Sequence, residues 1–453
     1  MRNLSRTTTL ESRFPILSVE NNCIISKEGD ITACFRIELP EIFTITSDAY
    51  EAIHSSWAKA IRTLPDFTII HKQDWYLKEN YQPDIEGKEH SFLSRSFQMH
   101  FNERPFLNHY CYLFLTRTTK DRMRMQSNFS TLCKGNLIPK EIKDRDGMRR
   151  FFETVAQFER IMNDGSVKMQ RLSEDDIIGT DNTKGLLEQY FTLSRENNVL
   201  QDLGLGAEEI RIGNKKMVLH TLSDTEDLPN AVSESLRYDS LSTDRSDCMI
   251  SFASPVGLML NCDHIYNQYL FIDNSSDNLR RFEKSARNMH SLARFSRANQ
   301  INREWIERYL NEAHSLGSPS IRAHFNVFAW SEDREELRAV KNEVGSALAL
   351  MDCKPRHNTT DAATLFWSAI PGNAGDFPSE ESFYTFIEPA LCFFTAETNY
   401  QDSLSPFGIK LADRLTGKPV HVDISDLPMK KGIITNRNRF ICGPSGGWRA
   451  ILN

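Results

Sequence analysis

The glycine-rich residues near the end of the sequence have the types and spacing for one kind of chemistry, the binding of phosphate groups. Gly443, Pro444, Ser445 and Gly446 follow a short predicted strand at 439–442. They match the first half of the pattern G-x-x-x-x-G-K-[ST], in which backbone N–H groups cradle phosphates, the lysine reaches the outer phosphates and the hydroxyl holds magnesium. We predict a remnant of a nucleotide site here; the alternative is that these glycines only end a strand.

The second half of the pattern fails at each position that the chemistry needs. Trp448 stands where a glycine would let the backbone approach phosphate closely. Arg449 keeps the charge of the expected lysine but not its compact geometry, and Ala450 has no oxygen for a metal ion. Because the sequence stops at Asn453, we also expect no helix N-terminus to face the anion. The sequence therefore predicts no catalytic residue, no metal ligand and no cofactor for this chain.

A basic stretch is the second candidate site. Residues 279–308 hold eight basic and three acidic side chains, with aromatic residues between them. The candidate surface consists of Arg280, Arg281, Arg287 and Arg294, and it would bind a partner protein, an anionic membrane or DNA. The alternative is an ordinary solvated helical face.

Other residues of catalytic or metal-binding type carry weaker signals. Cys262, Asp263 and His264 include metal-ligand types, but adjacent residues rarely share one ion, and no second cluster has ligand spacing. Asp175 and Asp176 fit the start of a helix. The nine cysteines form no C-x-x-C pair, so we expect buried free thiols in a reducing compartment.

Composition limits the class of protein. The 453 residues favour two to three domains, and 40% hydrophobic with 25% charged residues is usual for a globular protein. A net charge of −7 gives no general attraction to nucleic acid. No secretory signal and no run of 18 apolar residues is present, so we expect a cytoplasmic protein whose membrane association would be peripheral.

The fold class predicted from the order of elements is α/β in the broad sense. Its N-terminal region would be α+β, with a hairpin from 23–26 and 31–38, a helix opening at Ser47, strands near 67–76 and 108–116, and a helix through 148–161. A second α/β region would contain strands at 249–253, 266–272 and 323–330 and a helix at 335–351. Between them lies an acidic, serine-rich stretch at 223–247, which we interpret as an exposed loop or inter-domain connection.

The domain boundaries follow from these composition changes. We predict an N-terminal α+β domain at 1–205, a second α/β region at 206–400 and the start of a third domain at 401–453. Residues 383–394 form an apolar segment of undecided type. In the last domain, 409–411 and 420–424 would be two strands joined by a Thr-Gly-Lys-Pro turn.

Nearly the whole chain resembles the TraG family of conjugative-transposon ATPases, which belong with the motor ATPases of type IV secretion. The resemblance rests on long ordered runs at 406–410 (PFGIK), 415–419 (LTGKP), 438–440 (NRF) and 443–446 (GPSG). Three further runs also match, at 100–105 (HFNERP), 123–129 (MRMQSNF) and 354–358 (KPRHN).

The resemblance implies a specific function and a specific departure from it. In the family the loop continues as G-P-S-G-S-G-K-S and opens a RecA-like motor domain that uses ATP and Mg²⁺. This chain departs after Gly446, so we expect a frameshift, a split gene or a truncated reading frame. The chain would then be the N-terminal, non-motor portion of a conjugation ATPase, docking onto inner-membrane components of the secretion complex and supporting DNA transfer.

Two alternatives stay open. The chain could be one half of a split ATPase that hydrolyses ATP only with a downstream chain, or a truncated product without a role. Self-association and direct DNA binding are further interactions that the sequence neither requires nor excludes.

Overall fold

The computed structural model describes residues 9–82, 92–133, 145–165, 167–196, 199–206, 209–292, 296–357, 360–405 and 408–440. In those ranges the chain forms short and long strands in the following order: β1 Ile16–Glu20, β2 Cys23–Ser26, β3 Ile31–Glu38, β4 Thr68–Asn80, β5 Pro105–Arg117, β6 Lys168–Arg171, β7 Leu203–Leu205, β8 Ile210–Ile212, β9 Lys215–Leu222, β10 Ser235–Arg237, β11 Met249–Ser251, β12 His264–Ile272, β13 Ser320–Ser331, β14 Arg356–His357, β15 Phe383–Phe386, β16 Ile409–Ala412 and β17 Pro419–Val422.

The helices are interspersed with these strands. They are α1 Leu10–Arg13, α2 Ser47–Ile61, α3 Phe92–Phe101, α4 Lys120–Met123, α5 Arg145–Asp164, α6 Glu174–Ile178, α7 Leu186–Thr192, α8 Ser275–Leu292, α9 Arg297–Leu316, α10 Arg334–Leu350, α11 Ala362–Ser368, α12 Ile387–Leu391 and α13 Asp426–Lys430. None of the helices in the described ranges has the length and apolar content that crossing a bilayer requires.

Thirteen of the strands form one sheet, in which β12 pairs antiparallel with β4 and β13, β13 with β9, and β3 with β5. Helices accompany an antiparallel sheet, so the fold class is α+β, as the sequence predicts for the N-terminal region. The predicted hairpin is confirmed, because β2 pairs with β3. The undecided segment at 383–394 is a short strand, β15, followed by α12.

The sheet contains the same strand order twice. In the first half the neighbours run β6–β3–β5–β4, and in the second half β14–β9–β13–β12. When the four strands of a half are counted along the chain, the fourth lies beside the first, the first beside the third and the third beside the second. This is the strand order of a split β-α-β unit. Each half also begins with a three-stranded meander, β1–β2–β3 or β7–β8–β9.

The two halves join through β4 and β12. These strands pair antiparallel from Thr68 opposite Ile272 to Tyr76 opposite His264. Both strands are buried along this seam, although β4 carries the polar run His-Lys-Gln-Asp at 71–74. The seam thus makes one continuous sheet from the two similar halves.

Local sequence explains why the flanking helices form where they do. Thr46 caps α2 by accepting a hydrogen bond from the Ala49 N–H. The buried residues Tyr50, Ile53 and Trp57 then recur at helical spacing, and the Trp57 ring packs against Phe158 of α5. The helix predicted through 148–161 is confirmed within α5.

Contacts divide the chain into two compact units. The first comprises residues 1–78 and 107–398, and the second comprises 79–106 and 399–453. The boundary at 398/399 lies close to the predicted one at 400/401. The first unit continues through residues 205 and 206, since strands on both sides of that point belong to one sheet. The division into three domains stays a prediction about the sequence.

The acidic stretch at 223–247 lies within the first unit. It contains β10, which pairs with β11. Arg237 of β10 binds the carboxylates of Asp239 at 2.9 Å and Asp247 at 2.7 Å. Most of the stretch is loop, as predicted, but it connects strands of one unit and does not link two units.

Candidate functional site

The candidate nucleotide site, Gly443, Pro444, Ser445 and Gly446, lies outside the described residues. Of the strand predicted at 439–442, Arg439 and Phe440 are described; both are exposed and neither is in a strand. Residues 441 and 442 lie outside. The structure therefore describes the segment leading to the loop, residues 408–440.

A hairpin forms the first part of this segment. β16 pairs antiparallel with β17, from Ile409 opposite Val422 to Ala412 opposite Pro419. The Asp413 carboxylate holds the turn by accepting hydrogen bonds from the Leu415 and Thr416 N–H groups at 3.1 and 3.0 Å. Gly417 has φ +73°, a left-handed conformation that glycine adopts without strain. The two predicted strands and the glycine turn are confirmed.

Asp423 organises the chain after the hairpin. Its carboxylate accepts hydrogen bonds from the N–H groups of Ser425, Asp426 and Leu427 at 2.8–2.9 Å. These backbone donors hold the pKa of Asp423 well below its usual range. The carboxylate therefore stabilises the start of α13.

This segment buries little apolar surface. Among described residues 408–440, Pro419 and Val420 have the buried aliphatic side chains. Five large apolar side chains are exposed: Ile409, Leu411, Ile424, Ile433 and Phe440. A hairpin and one short helix do not form a core of their own, and among the described residues these five side chains stay uncovered.

The residues of the loop do not fit ATP with Mg²⁺. A phosphate loop needs a lysine for the outer phosphates and a hydroxyl oxygen for the metal. The chain has Arg449 and Ala450 at those positions, and Ala450 offers no ligand atom. No step of ATP hydrolysis can therefore be assigned to these residues.

The candidate basic surface lies on α8. Arg280, Arg281 and Arg287 are exposed, as predicted, whereas Arg294 lies outside the described residues. Lys284 joins Arg280 and Arg287 on one stripe, because residues four and three apart share a face of a helix.

Lys120 and Arg124, which are distant in sequence, extend this surface. Lys120 binds the Asp277 carboxylate at 2.7 Å, and Arg280 lies 4.0 Å from the same carboxylate. The hydrogen bond from Lys120 lowers the pKa of Asp277, and the charges of Arg124 and Arg280 add to the effect. One acid is thus surrounded by three basic side chains, a grouping that sequence spacing could not reveal.

A Cys–His–Glu arrangement occurs that the sequence analysis missed, since its members lie far apart in the chain. Cys392 Sγ is 3.8 Å from His54 Nε2, and His54 Nδ1 is 4.0 Å from Glu234. However, His54 Nε2 also lies 2.8 Å from the Glu388 carbonyl and donates its proton there. Burial raises the pKa of Cys392 to about 12. A nucleophilic thiol needs a lowered pKa, so this group is structural.

Cys262 Sγ lies 3.9 Å from His264 Nδ1, whereas Asp263 is directed to a different partner. His264 lies 2.8 Å from the Cys262 carbonyl and 3.1 Å from the Val256 carbonyl. Asp263 accepts the Lys78 N–H at 2.7 Å. Within the ranges that the structure describes, no group of three or more acidic, histidine or cysteine side chains could hold a metal ion.

A buried charged network lies at the seam between the two halves of the sheet. Lys72 is fully buried and binds Asp74, Gln268 and Thr395. Asp74 also accepts from His109 Nε2 at 3.0 Å. The signal in the sequence is a pair of opposite charges two residues apart within an otherwise strand-like run, since such residues face the same side of a strand.

Comparison with known families gives two matches. The family described as the TraG P-loop domain matches residues 408–453. A domain of unknown function, with the description "B. Theta Gene description (DUF3875)", matches residues 3–55. No curated protein matches the chain.

Proposed function

We propose that this chain, whose residues 408–453 match the TraG P-loop domain family, is the docking portion of a conjugation ATPase and does not turn over ATP by itself. The observation that carries the proposal is the composition of the matched loop. Gly443 to Gly446 fit a phosphate loop, while Arg449 and Ala450 replace the lysine and the hydroxyl residue.

The described part of the chain is consistent with a binding role. The charged side chains at the seam of its large sheet are buried and bind one another. In the group formed by Cys392, His54 and Glu234, His54 Nε2 donates to the Glu388 carbonyl, so this nitrogen is not available as a base for Cys392. The proposed partners are inner-membrane components of the type IV secretion complex, with DNA transfer as the process served.

A split ATPase is the second candidate function. The observation that favours it is the exposed apolar surface of residues 408–440, which has five large apolar side chains uncovered. Burying each such side chain is worth roughly 1.5–3 kcal/mol. A separate polypeptide that carries the remainder of a P-loop domain would cover this surface and supply the lysine and hydroxyl.

Turnover assays separate the two candidates. The purified chain is assayed for ATP hydrolysis alone and with a second polypeptide that carries an intact G-K-[ST] loop and motor domain. We expect no hydrolysis by the chain alone. Hydrolysis that requires both polypeptides would support the split enzyme.

A repaired variant provides the control for the loop. Trp448→Gly, Arg449→Lys and Ala450→Ser together restore the pattern. This variant should bind a fluorescent ATP analogue more tightly than the original chain does. That result would support the proposal that residues 448–450 of the original chain impair nucleotide binding. Hydrolysis by the original chain alone would overturn the proposal.

A further inference from the structure

The outer surface of α8 carries three aligned positive charges. Arg280, Lys284 and Arg287 share one stripe of the helix. Phe282 lies on the opposite side, where its ring packs against Tyr309 of α9 at 4.9 Å and Tyr384 of β15 at 5.0 Å. Because Phe282 faces the protein, the three charges face solvent.

The neighbouring helix α9 also exposes apolar side chains. Ile301 and Trp305 lie four residues apart on one face, and Trp305 is 61% exposed. Leu316 at the end of the helix is also exposed. Arg297 and Arg308 are exposed before and after the apolar pair.

Most nearby acids are already engaged. Asp277 is bound by Lys120, Glu307 lies 2.7 Å from Arg303, and Glu283 lies 3.8 Å from His314. Glu304 and Glu312 of α9 are exposed and oppose the positive field. Across the described ranges, no carboxylate lies within ion-pair distance of Arg281, Lys284 or Arg287.

We propose that the exposed face of the α8–α9 hairpin binds the surface of an anionic lipid bilayer. Basic side chains contact lipid phosphates, while Ile301 and Trp305 enter the headgroup region, where tryptophan is favoured. Binding to nucleic acid would account for the basic side chains but not for the exposed Ile301 and Leu316. With a net charge of −7, the rest of the chain is repelled by a polyanion, so this face also orients the protein on the membrane.

Vesicle binding by the full chain tests this proposal, which does not depend on the fate of the nucleotide loop. Vesicles of phosphatidylcholine are compared with vesicles of equimolar phosphatidylcholine and phosphatidylglycerol. We expect co-sedimentation with the anionic vesicles only, weakened by salt. The triple variant Arg280→Gln, Lys284→Gln, Arg287→Gln should bind on the order of a hundredfold more weakly, since each basic residue contributes roughly a factor of five near an anionic surface.

A matched variant controls for net charge. Arg149→Gln, Arg150→Gln and Arg160→Gln remove three exposed charges from α5 and should leave vesicle binding unchanged. Equal losses in the two triple variants would mean that only total charge matters, and would overturn the proposal. Thermal unfolding of both variants checks that they fold.

Tryptophan fluorescence reports on insertion directly. Trp57, Trp75, Trp330 and Trp367 are buried, so within the described ranges Trp305 is the exposed indole. Anionic vesicles should shift its emission to the blue, and Trp305→Phe should remove the shift while keeping most of the binding. Binding to a DNA duplex that depends on Arg280, Lys284 and Arg287, without binding to vesicles, would assign the face to nucleic acid and refute the lipid proposal.

Discussion

His109 Nε2 lies 3.0 Å from Asp74 Oδ1 at a point where neither side chain reaches solvent. The other oxygen of Asp74 binds Lys72 and Gln268. Burial by itself would raise the pKa of Asp74, but Lys72 and His109 reverse this and hold the pKa well below its usual range. The seam between the two halves of the sheet therefore contains an ionised carboxylate that depends on its partners.

Removing this carboxylate should destabilise the protein strongly. Asp74→Asn leaves Lys72 as a buried charge without its counter-ion, so we expect a loss of about 3–5 kcal/mol in the free energy of unfolding at pH 7. Urea unfolding followed by circular dichroism measures it. The exposed Asp164→Asn, which breaks a surface pair with Arg160, should change stability by less than about 1 kcal/mol. Similar effects of the two substitutions would contradict a special role for the seam.

Acidification should destabilise the fold through neutral buried histidines. Burial lowers the pKa of both His71 and His324 to about 3. Their hydrogen bonds fit neutral rings, since His71 donates to Asn267 Oδ1 and His324 accepts from Asn326 Nδ2 at 2.9 Å. The unfolded chain takes up protons below pH 6.5 and the folded chain does not, so stability is full above that pH and falls towards pH 3.

The pH effect can be measured by urea unfolding at pH 7 and pH 5. Each histidine should account for roughly 2 kcal/mol of the decrease. His71→Gln and His324→Gln should each reduce the pH dependence by that amount, whatever they do to stability at pH 7. The exposed His100→Gln is the control. An unchanged pH dependence in both buried variants would show that these rings do not stay neutral.

A close approach at Gly375 makes this position intolerant of a side chain. A Cβ there would lie 2.2 Å from Asp30 Oδ2, and Asp30 binds Arg122 Nε at 2.9 Å and Thr118 at 2.7 Å. We expect Gly375→Ala to lower the free energy of unfolding by about 1–3 kcal/mol. Gly345→Ala, in the middle of α10 with its nearest neighbour 3.9 Å away, should instead stabilise by up to about 1 kcal/mol. Thermal or urea unfolding of the pair tests the contrast in sign.

Native thiol labelling should distinguish cysteines by burial. Cys133 is exposed and should react with iodoacetamide before the buried thiols. Burial raises the pKa of both Cys353 and Cys392 to about 12, so these thiols should react only after unfolding. Mass spectrometry of timed digests gives the order. Early modification of Cys392 would reopen its assignment as a structural group.

Local patterns were sufficient to predict many individual elements. The helical stripe through Phe151, Val155 and Phe158 and the glycine turn at Gly417 are governed by neighbours in sequence, and both occur as predicted. The repeated strand order was not predicted, because β-pairing joins segments far apart and the two halves share no recognisable sequence repeat. The halves also differ in their inserted segments, since α2 lies between β3 and β4 while no α-helix occurs between β9 and β12.

The candidate sites were predictable to different degrees. Arg280, Arg281 and Arg287 could be placed on an exposed helix from composition alone. Lys120 could not be added to them, because only the fold brings it to Asp277. The burial of Lys72 and Asp74 was not predicted, since a strand with such residues usually faces water. Their burial depends on Gln268 and Thr395, which lie about 190–320 residues later in the chain.

The distance in sequence between β4 and β12 has a consequence during synthesis. About 190 residues separate the two strands, which a ribosome adding roughly 5–20 residues per second needs about 10–40 s to make. During that interval β4 is the outermost strand of the first half, and its unpaired backbone groups could template pairing with other nascent chains. Lys72 and Asp74 oppose such pairing, because a foreign strand would desolvate them without supplying Gln268 and Thr395. The charges that later join the halves thus protect the unfinished chain from aggregation.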